Sequence, residues 1–312
     1  MAKNDPYQVM TDYMLKQMET AGQDWLNPFR QGKNEMAQNF TTKNPYHGVN
    51  IPVLTMSQHA QGFKTNQWAT YKQWQNKGKQ VNKKTIVGGG TPVIFFKMLE
   101  KKKKKETDKT EFFPFPKISW VYNIEQLVDW ELDTDFDIPK TQENELSEIE
   151  LSNQDLKERE IVRKVCKDAG IKVEFDVVGS AFYRPLTNSC HVPTLENIEG
   201  STPSERSARQ NGTILHEASH ATGHPTRLDR QGGKRFGDRA YSYEELIAEL
   251  SSAFLGSALG VKTEARQDHA KYLNGWVAAM KEDNKIIYSA AKEAQKACEW
   301  ILEAANVKTE AA

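Results

Sequence analysis

The run His216-Glu217-Ala218-Ser219-His220 decides how this chain is read. On an α-helix, residues four apart share one face with Cβ atoms roughly 5–6 Å apart, so both imidazoles can reach one ion at Zn–N about 2.0–2.1 Å. Glu217 then projects beside the open coordination position, where it can take a proton from a water whose pKa the ion lowers towards ~7. The flanks support a helix. Thr202-Pro203-Ser204-Glu205 reads as an N-cap, a proline at the first helical position and a glutamate at the third, and Gly223 and Pro225 supply the stop. The pattern predicts a catalytic Glu217 beside a site for Zn2+, or another divalent metal, held by His216 and His220.

A catalytic zinc takes three protein ligands and keeps one position for water. His224, if the helix continued, would lie about 12 Å along the axis from His216, so it suits a supporting or alternative-ligand role better than a shared ion. A second helix, Tyr243-Glu244-Glu245-Leu246-Ile247-Ala248-Glu249-Leu250, places Glu245 and Glu249 on one face. Glu245 is expected as the third ligand and Glu249 as the group orienting a histidine, with the reverse assignment open. A competing use exists: Ser242 followed by Glu245 is also a capping box, which would engage that carboxylate on backbone N–H groups. Glu244 is expected to face solvent.

With these residues in hand, the chain resembles ArdC-type antirestriction proteins of conjugative plasmids and phages. The stretches HEASHATGHPTRL and YEELIAELSSAFL resemble that family's metallopeptidase-like domain. Asn44 to Asn50, Trp68 to Gln73, Gly90 to Val93, Tyr122 to Gln126 and Gln295-Lys296-Ala297 match in the same order. The resemblance implies single-stranded DNA binding by a first domain and a zincin-like second domain, in outline like DNA-dependent metalloproteases. It implies a role in protecting incoming mobile-element DNA, with a restriction enzyme or DNA-bound protein as substrate. The alternative is a DNA-dependent or free zinc metallopeptidase whose main work is cleaving a protein. The Lys101 to Lys105 run and the acidic stretch before the second domain depart from the family pattern.

Composition agrees with two domains in an α+β chain: residues 1–130 as a mixed α+β DNA-binding domain, 131–158 as an acidic linker, and 159–312 as the zincin-like domain. The formal net charge of zero hides an asymmetry. Residues 1–120 hold 19 Lys+Arg against 9 Asp+Glu, a balance of +10, whereas residues 131–158 hold 2 against 10, a balance of −8. Only the first domain has an electrostatic reason to bind a polyanion. The acidic stretch reads as a solvated spacer or as a strip mimicking DNA, its end turning helical over 151–170.

Within the first domain, Trp68, Tyr71 and Trp74 are interleaved with Lys72, Lys77, Lys79, Lys83 and Lys84. Bases stack on aromatic faces while cations follow phosphates. A helix opened by Thr65 and closed near Gly78 would carry all three rings, with Trp68 or Tyr71 in the core and Trp74 exposed beside the lysines. Gly88-Gly89-Gly90 reads as a turn before a strand from Val93; it lacks the ending of a phosphate-binding loop. Lys101 to Lys105 reads as the tip of a long hairpin, either a solvated loop or a phosphate arm.

Cys166, Cys190 and Cys298 show no C-x-x-C spacing and suit a reducing, cytoplasmic setting. No apolar run approaches 18 residues, so no membrane partner is expected. Strand-like alternation at Ile171–Val177 and Ala181–Val192 precedes the metal helix, and two helices follow around Tyr272 and Ala290. The segment Ser189–Pro193 is expected to offer a free strand edge to an extended peptide. Tyr241, Tyr243 and His224 are the candidates for a transition-state donor.

Overall fold

The computed structural model describes residues 5–30, 36–82, 89–100, 112–128, 151–230, 239–264 and 269–307. Helix α1 (Pro6–Ala21) starts where the Asp5 side chain accepts from the Tyr7 amide at 3.1 Å, with proline at its first position. It buries a stripe of Met10, Thr11, Met14, Leu15 and Met18. After the short α2 (Asn27–Arg30) come β1 (Gln38–Asn39), α3 (Asn50–Ala60), β2 (Gln67–Thr70), α4 (Tyr71–Asn76), β3 (Thr91–Glu100) and β4 (Phe112–Asn123). The sheet order is β1-β2-β4-β3, with only β1 and β2 parallel. The last pair forms a long antiparallel arm whose register runs from Thr91↔Val121 to Glu100↔Phe112.

Two expectations for this half are corrected. Trp68 lies in β2, and Thr70, not Thr65, caps the next helix: its hydroxyl accepts from Gln73 N at 3.2 Å while the Gln73 carboxamide accepts from Thr70 N at 2.9 Å. Trp74 is 0% exposed, not a surface ring. Its indole packs on Phe40 at 4.8 Å and donates to the Tyr122 carbonyl at 3.0 Å, so a large apolar ring is buried with its one donor satisfied. Lys72 and Lys77 are exposed and Lys79 is half-buried. Lys83, Lys84 and Lys101–Lys105 fall outside the described residues, although β3 and β4 flank the latter run as a hairpin would.

The acidic residues 131–150 also lie outside the described set. Beyond them a Ser152–Asp155 capping box opens α5 (Asn153–Asp168), so the end of the acidic stretch is helical. Strands β5 (Lys172–Val177), β6 (Phe182–Arg184) and β7 (Ser189–Pro193) follow, then α6 (Pro203–Thr222), α7 (Arg239–Leu259), α8 (His269–Glu282) and α9 (Ile286–Ala304). The sheet order is β5-β7-β6. Ser189–Pro193 is therefore the central strand, parallel to β5 and antiparallel to β6; both its edges are paired, and the free edge expected there does not exist.

One core joins the ends of the chain. Trp25 meets Trp276 at 6.3 Å and Phe29 meets Phe254 at 5.9 Å, so α1, α2 and their connection share apolar packing with α7, α8 and α9. Two motifs distant in sequence also touch: the Gln295 side chain accepts from Gly48 N at 2.5 Å and pairs with His47 Nδ1 at 2.8 Å. Helix α1 contacts β3 and β4 as well as α8, and thus lies between the base of the arm and the helical half.

Candidate metal centre

Helix α6 is punctuated as its sequence predicts. Thr202 Oγ1 accepts from Glu205 N at 3.1 Å, Pro203 takes the first position, and Gly223 stands at the C-cap. His216 and His220 share one face, their ring centroids 4.7 Å apart. Helix α7 packs against α6 and turns Glu244, Glu245 and Glu249 towards those rings. It begins at Arg239, so Ser242 lies inside the helix rather than capping it, and its carbonyl accepts from Trp276 Nε1 at 2.8 Å. The capping use of Glu245 is thereby removed.

The geometry separates the three carboxylates. Glu245 faces both imidazoles from their Nε2 side, at 3.5 Å from His216 and 3.3 Å from His220, and the two Nε2 atoms are 3.0 Å apart. One ligand atom from each of His216, His220 and Glu245 lies within 4.8 Å of the others. Glu249 stands on the opposite side of the His216 ring, 3.5 Å from Nδ1, and Glu244 does the same for His220 at 3.5 Å. Carboxylates stand behind the two imidazoles on their Nδ1 sides, leaving both Nε2 atoms facing Glu245. Two imidazoles and a carboxylate converging on one point, with the imidazoles deprotonated on binding, fit a divalent ion such as Zn2+ or Mn2+.

The electrostatics follow from this crowding. Burial opposes charge on His220, but Glu244 and Glu245 outweigh it and push that imidazole up to about 10. Burial likewise works to raise Glu245, yet His216 and His220 hold its carboxyl well below the usual carboxylate range. These are the signs of a cluster in which protons stand where a cation would be favoured.

Glu244 does not face solvent, contrary to expectation. Its carboxylate is gripped by Arg230 at 2.8 and 3.2 Å, and the same guanidinium donates to Thr222 Oγ1 at 2.6 Å and to the Ser219 carbonyl at 2.8 Å. Arg230 thus locks Glu244 to the end of α6. Glu217 is 2% exposed, and its charge acts on both His220 and Cys190 of β7. His224 is not drawn into the cluster: it turns to Thr226, with Nδ1 2.8 Å from the hydroxyl. Among the donor candidates, Tyr241 is raised by burial, then by Tyr272 and by Glu245, whose carboxylate its hydroxyl adjoins. Tyr243 is pushed up to about 12 by burial and then by Glu293 and Glu244, and it bonds Ser289 on α9 instead.

Residues 160–293 match the zincin-like metallopeptidase family, and residues 4–122 match the N-terminal domain of anti-restriction factor ArdC. The chain belongs to the ArdC family. This ArdC-family chain superposes on the metal-free crystal structure of antirestriction ArdC from plasmid R388 with a TM-score of 0.70, at 28% identity over 97% of this chain and 98% of that one. The Mn(II)-bound form of the same protein also gives a TM-score of 0.70, at 27% identity and the same coverage. The y4eC protein of Sinorhizobium fredii is 28% identical over 95% of this chain and 91% of its own length. DNA primase TraC of Escherichia coli is 30% identical over 95% of this chain, which spans 27% of the primase. No described helix is long and apolar enough to cross a membrane.

Proposed function

We propose that this chain protects incoming mobile-element DNA from restriction, binding single-stranded DNA through residues 1–130 and hydrolysing peptide bonds at the His216–His220–Glu245 centre. The observation that carries the reading is the convergence of those three side chains, with the Glu217 charge acting on His220. The ArdC relatives support the antirestriction role, and the R388 protein in Mn(II)-bound form supports a divalent metal. Zn2+ is the ion the donor set favours here.

A bound ion supplies Lewis acidity at the centre. Glu217 takes the proton of the attacking water and passes it to the departing amine. Tyr241 donates a hydrogen bond to the oxygen that gains charge, while Glu249 and Glu244 keep the two imidazoles in register. The protein substrate is one held near DNA, such as a restriction enzyme, in the reducing interior of the cell.

The test is Glu217→Gln, assayed for protection of transferred DNA in a restricting host alongside metal content and thermal midpoint. Loss of protection with metal and fold intact is expected. Protection that survives would show that coating of DNA suffices and that peptide hydrolysis is not the protective chemistry.

A further inference from the structure

The β3–β4 arm has two unlike faces. Directly paired residues point to the same side, and side chains alternate along each strand. One side carries Ile94 and Ile118, which join the main core, and Phe96, whose ring meets Tyr288 of α9 at 5.9 Å. The fold uses the base of that side, while Phe96, Met98, Phe112 and Trp120 stay 40%, 56%, 59% and 49% exposed on it with no lysine among them. The other side begins with buried Val93 and then presents Phe95 opposite Lys117, Lys97 opposite Phe115, and Leu99 opposite Phe113.

Phe95, Phe113 and Phe115 are 44%, 42% and 43% exposed, and both lysines are exposed. Three open rings on one side of a strand pair, with Phe96, Phe112 and Trp120 open on the other, are unusual for a surface with no partner. Their company selects the partner. Lysines sit between the rings rather than around them: Phe95 and Phe115 each stand opposite a lysine, and Phe113 is diagonal to Lys97. That checkerboard suits a polymer alternating flat apolar groups with anionic ones, which is an unpaired nucleic acid strand. A duplex hides its bases from such rings, and a lipid surface would leave the two central ammonium groups among acyl chains. The residues joining the strands, 101–111, hold six lysines against three carboxylates, so the charge of this stretch has the same sign.

We infer that the outward face of the β3–β4 arm, built of Phe95, Lys97, Phe113, Phe115 and Lys117, is a base-stacking platform for single-stranded DNA. It rests on the single-strand-binding reading above and gives that reading its surface; the buried Trp74 takes no part.

The experiment is fluorescence anisotropy of a labelled dT20 oligonucleotide with the full chain across a salt series, repeated for Phe95→Ala/Phe113→Ala/Phe115→Ala and for Lys97→Ala/Lys117→Ala. Each lost ring should weaken binding by about fivefold to 150-fold. The lysine pair should flatten the log–log salt slope by about 1.4. Phe115→Trp should bind as wild type does, which separates stacking from folding. Wild-type binding that the triple variant keeps within about twofold overturns the inference and leaves the single-strand reading standing. No binding by the wild type overturns both. A triple variant that releases anionic phosphatidylserine vesicles but keeps dT20 also overturns the platform.

Discussion

Glu244→Gln gives the sharpest test of how the metal centre is held. The substitution keeps the shape of the side chain and removes the charge that faces His220 Nδ1 at 3.5 Å and Arg230 at 2.8 Å. Two effects follow. The amide is a weaker acceptor for the imidazole N–H, so His220 loses orientation and basicity; groups in this position are worth about 10–100-fold in metal affinity, or roughly 1.4–2.7 kcal/mol. Arg230, with 7% of its side chain exposed, also keeps its charge without a carboxylate. Stranding one partner of a buried pair costs about 3–5 kcal/mol, but Thr222 and Ser219 still accept from this guanidinium, so the loss should fall at or below the bottom of that range. The assay is competition for Zn2+ against a chromophoric chelator, with thermal unfolding in EDTA to read stability apart from ligand linkage. Binding within twofold of wild type, in a protein of normal stability, would refute the role given to Glu244.

Three further outcomes are expected. Glu245→Ala should abolish stoichiometric metal binding while Glu249→Gln should weaken it about 10–100-fold, as measured by metal content after dialysis; the opposite ranking would exchange the two roles. Phe29→Ala should cost about 3–5 kcal/mol in denaturant unfolding, since Phe29 is fully buried against Phe254, and a loss under 1 kcal/mol would deny the shared core. Asp155 joins the starts of α5 and α6 through Ser152 and Ser204; burial works to raise its carboxyl, but these hydrogen bonds and Lys262 hold it below the ordinary value. Because its folded pKa is depressed, the stabilisation is present above the unfolded value of about 3.9 and lost as pH falls through the folded one. The thermal midpoints of wild type and Asp155→Asn should therefore converge in acid and separate above about pH 4; a constant gap would exclude this role.

The metal helix was legible because each of its features is local. Thr202, Pro203, Glu205 and Gly223 mark its ends, and His216 and His220 need only the helical repeat to share a face. The distinction between Glu245 and Glu249 was half legible: the repeat puts both on one side, but which meets Nε2 depends on how α7 crosses α6. Glu244 was misread since its partner Arg230 comes from outside the helix and is drawn in by Thr222 and Ser219. Trp74 was misread because the spacing of Trp68, Tyr71 and Trp74 imitates one helix while the chain passes from strand to helix at Thr70. Ser189–Pro193 forms a strand as expected, but all five of its residues are buried rather than alternating, because it is the central strand, and strand order is a matter of long-range pairing that local pattern does not encode. The outward rings of the arm were hidden for a similar reason, as Phe95 and Lys117 become neighbours only in register.

The position of α1 bears on how the chain is made. Thr11 donates to the carbonyl of Asn284, a partner 273 residues later, on a helix that also meets α8. At translation rates of about 5–20 residues per second, Thr11 waits roughly 14 to 55 seconds before its acceptor is synthesised. Helix α1 meets β3 and β4 early but completes its packing only when α8 arrives. Truncation before α8 should therefore destabilise the amino-terminal half, since Trp25 loses Trp276 and Thr11 loses Asn284.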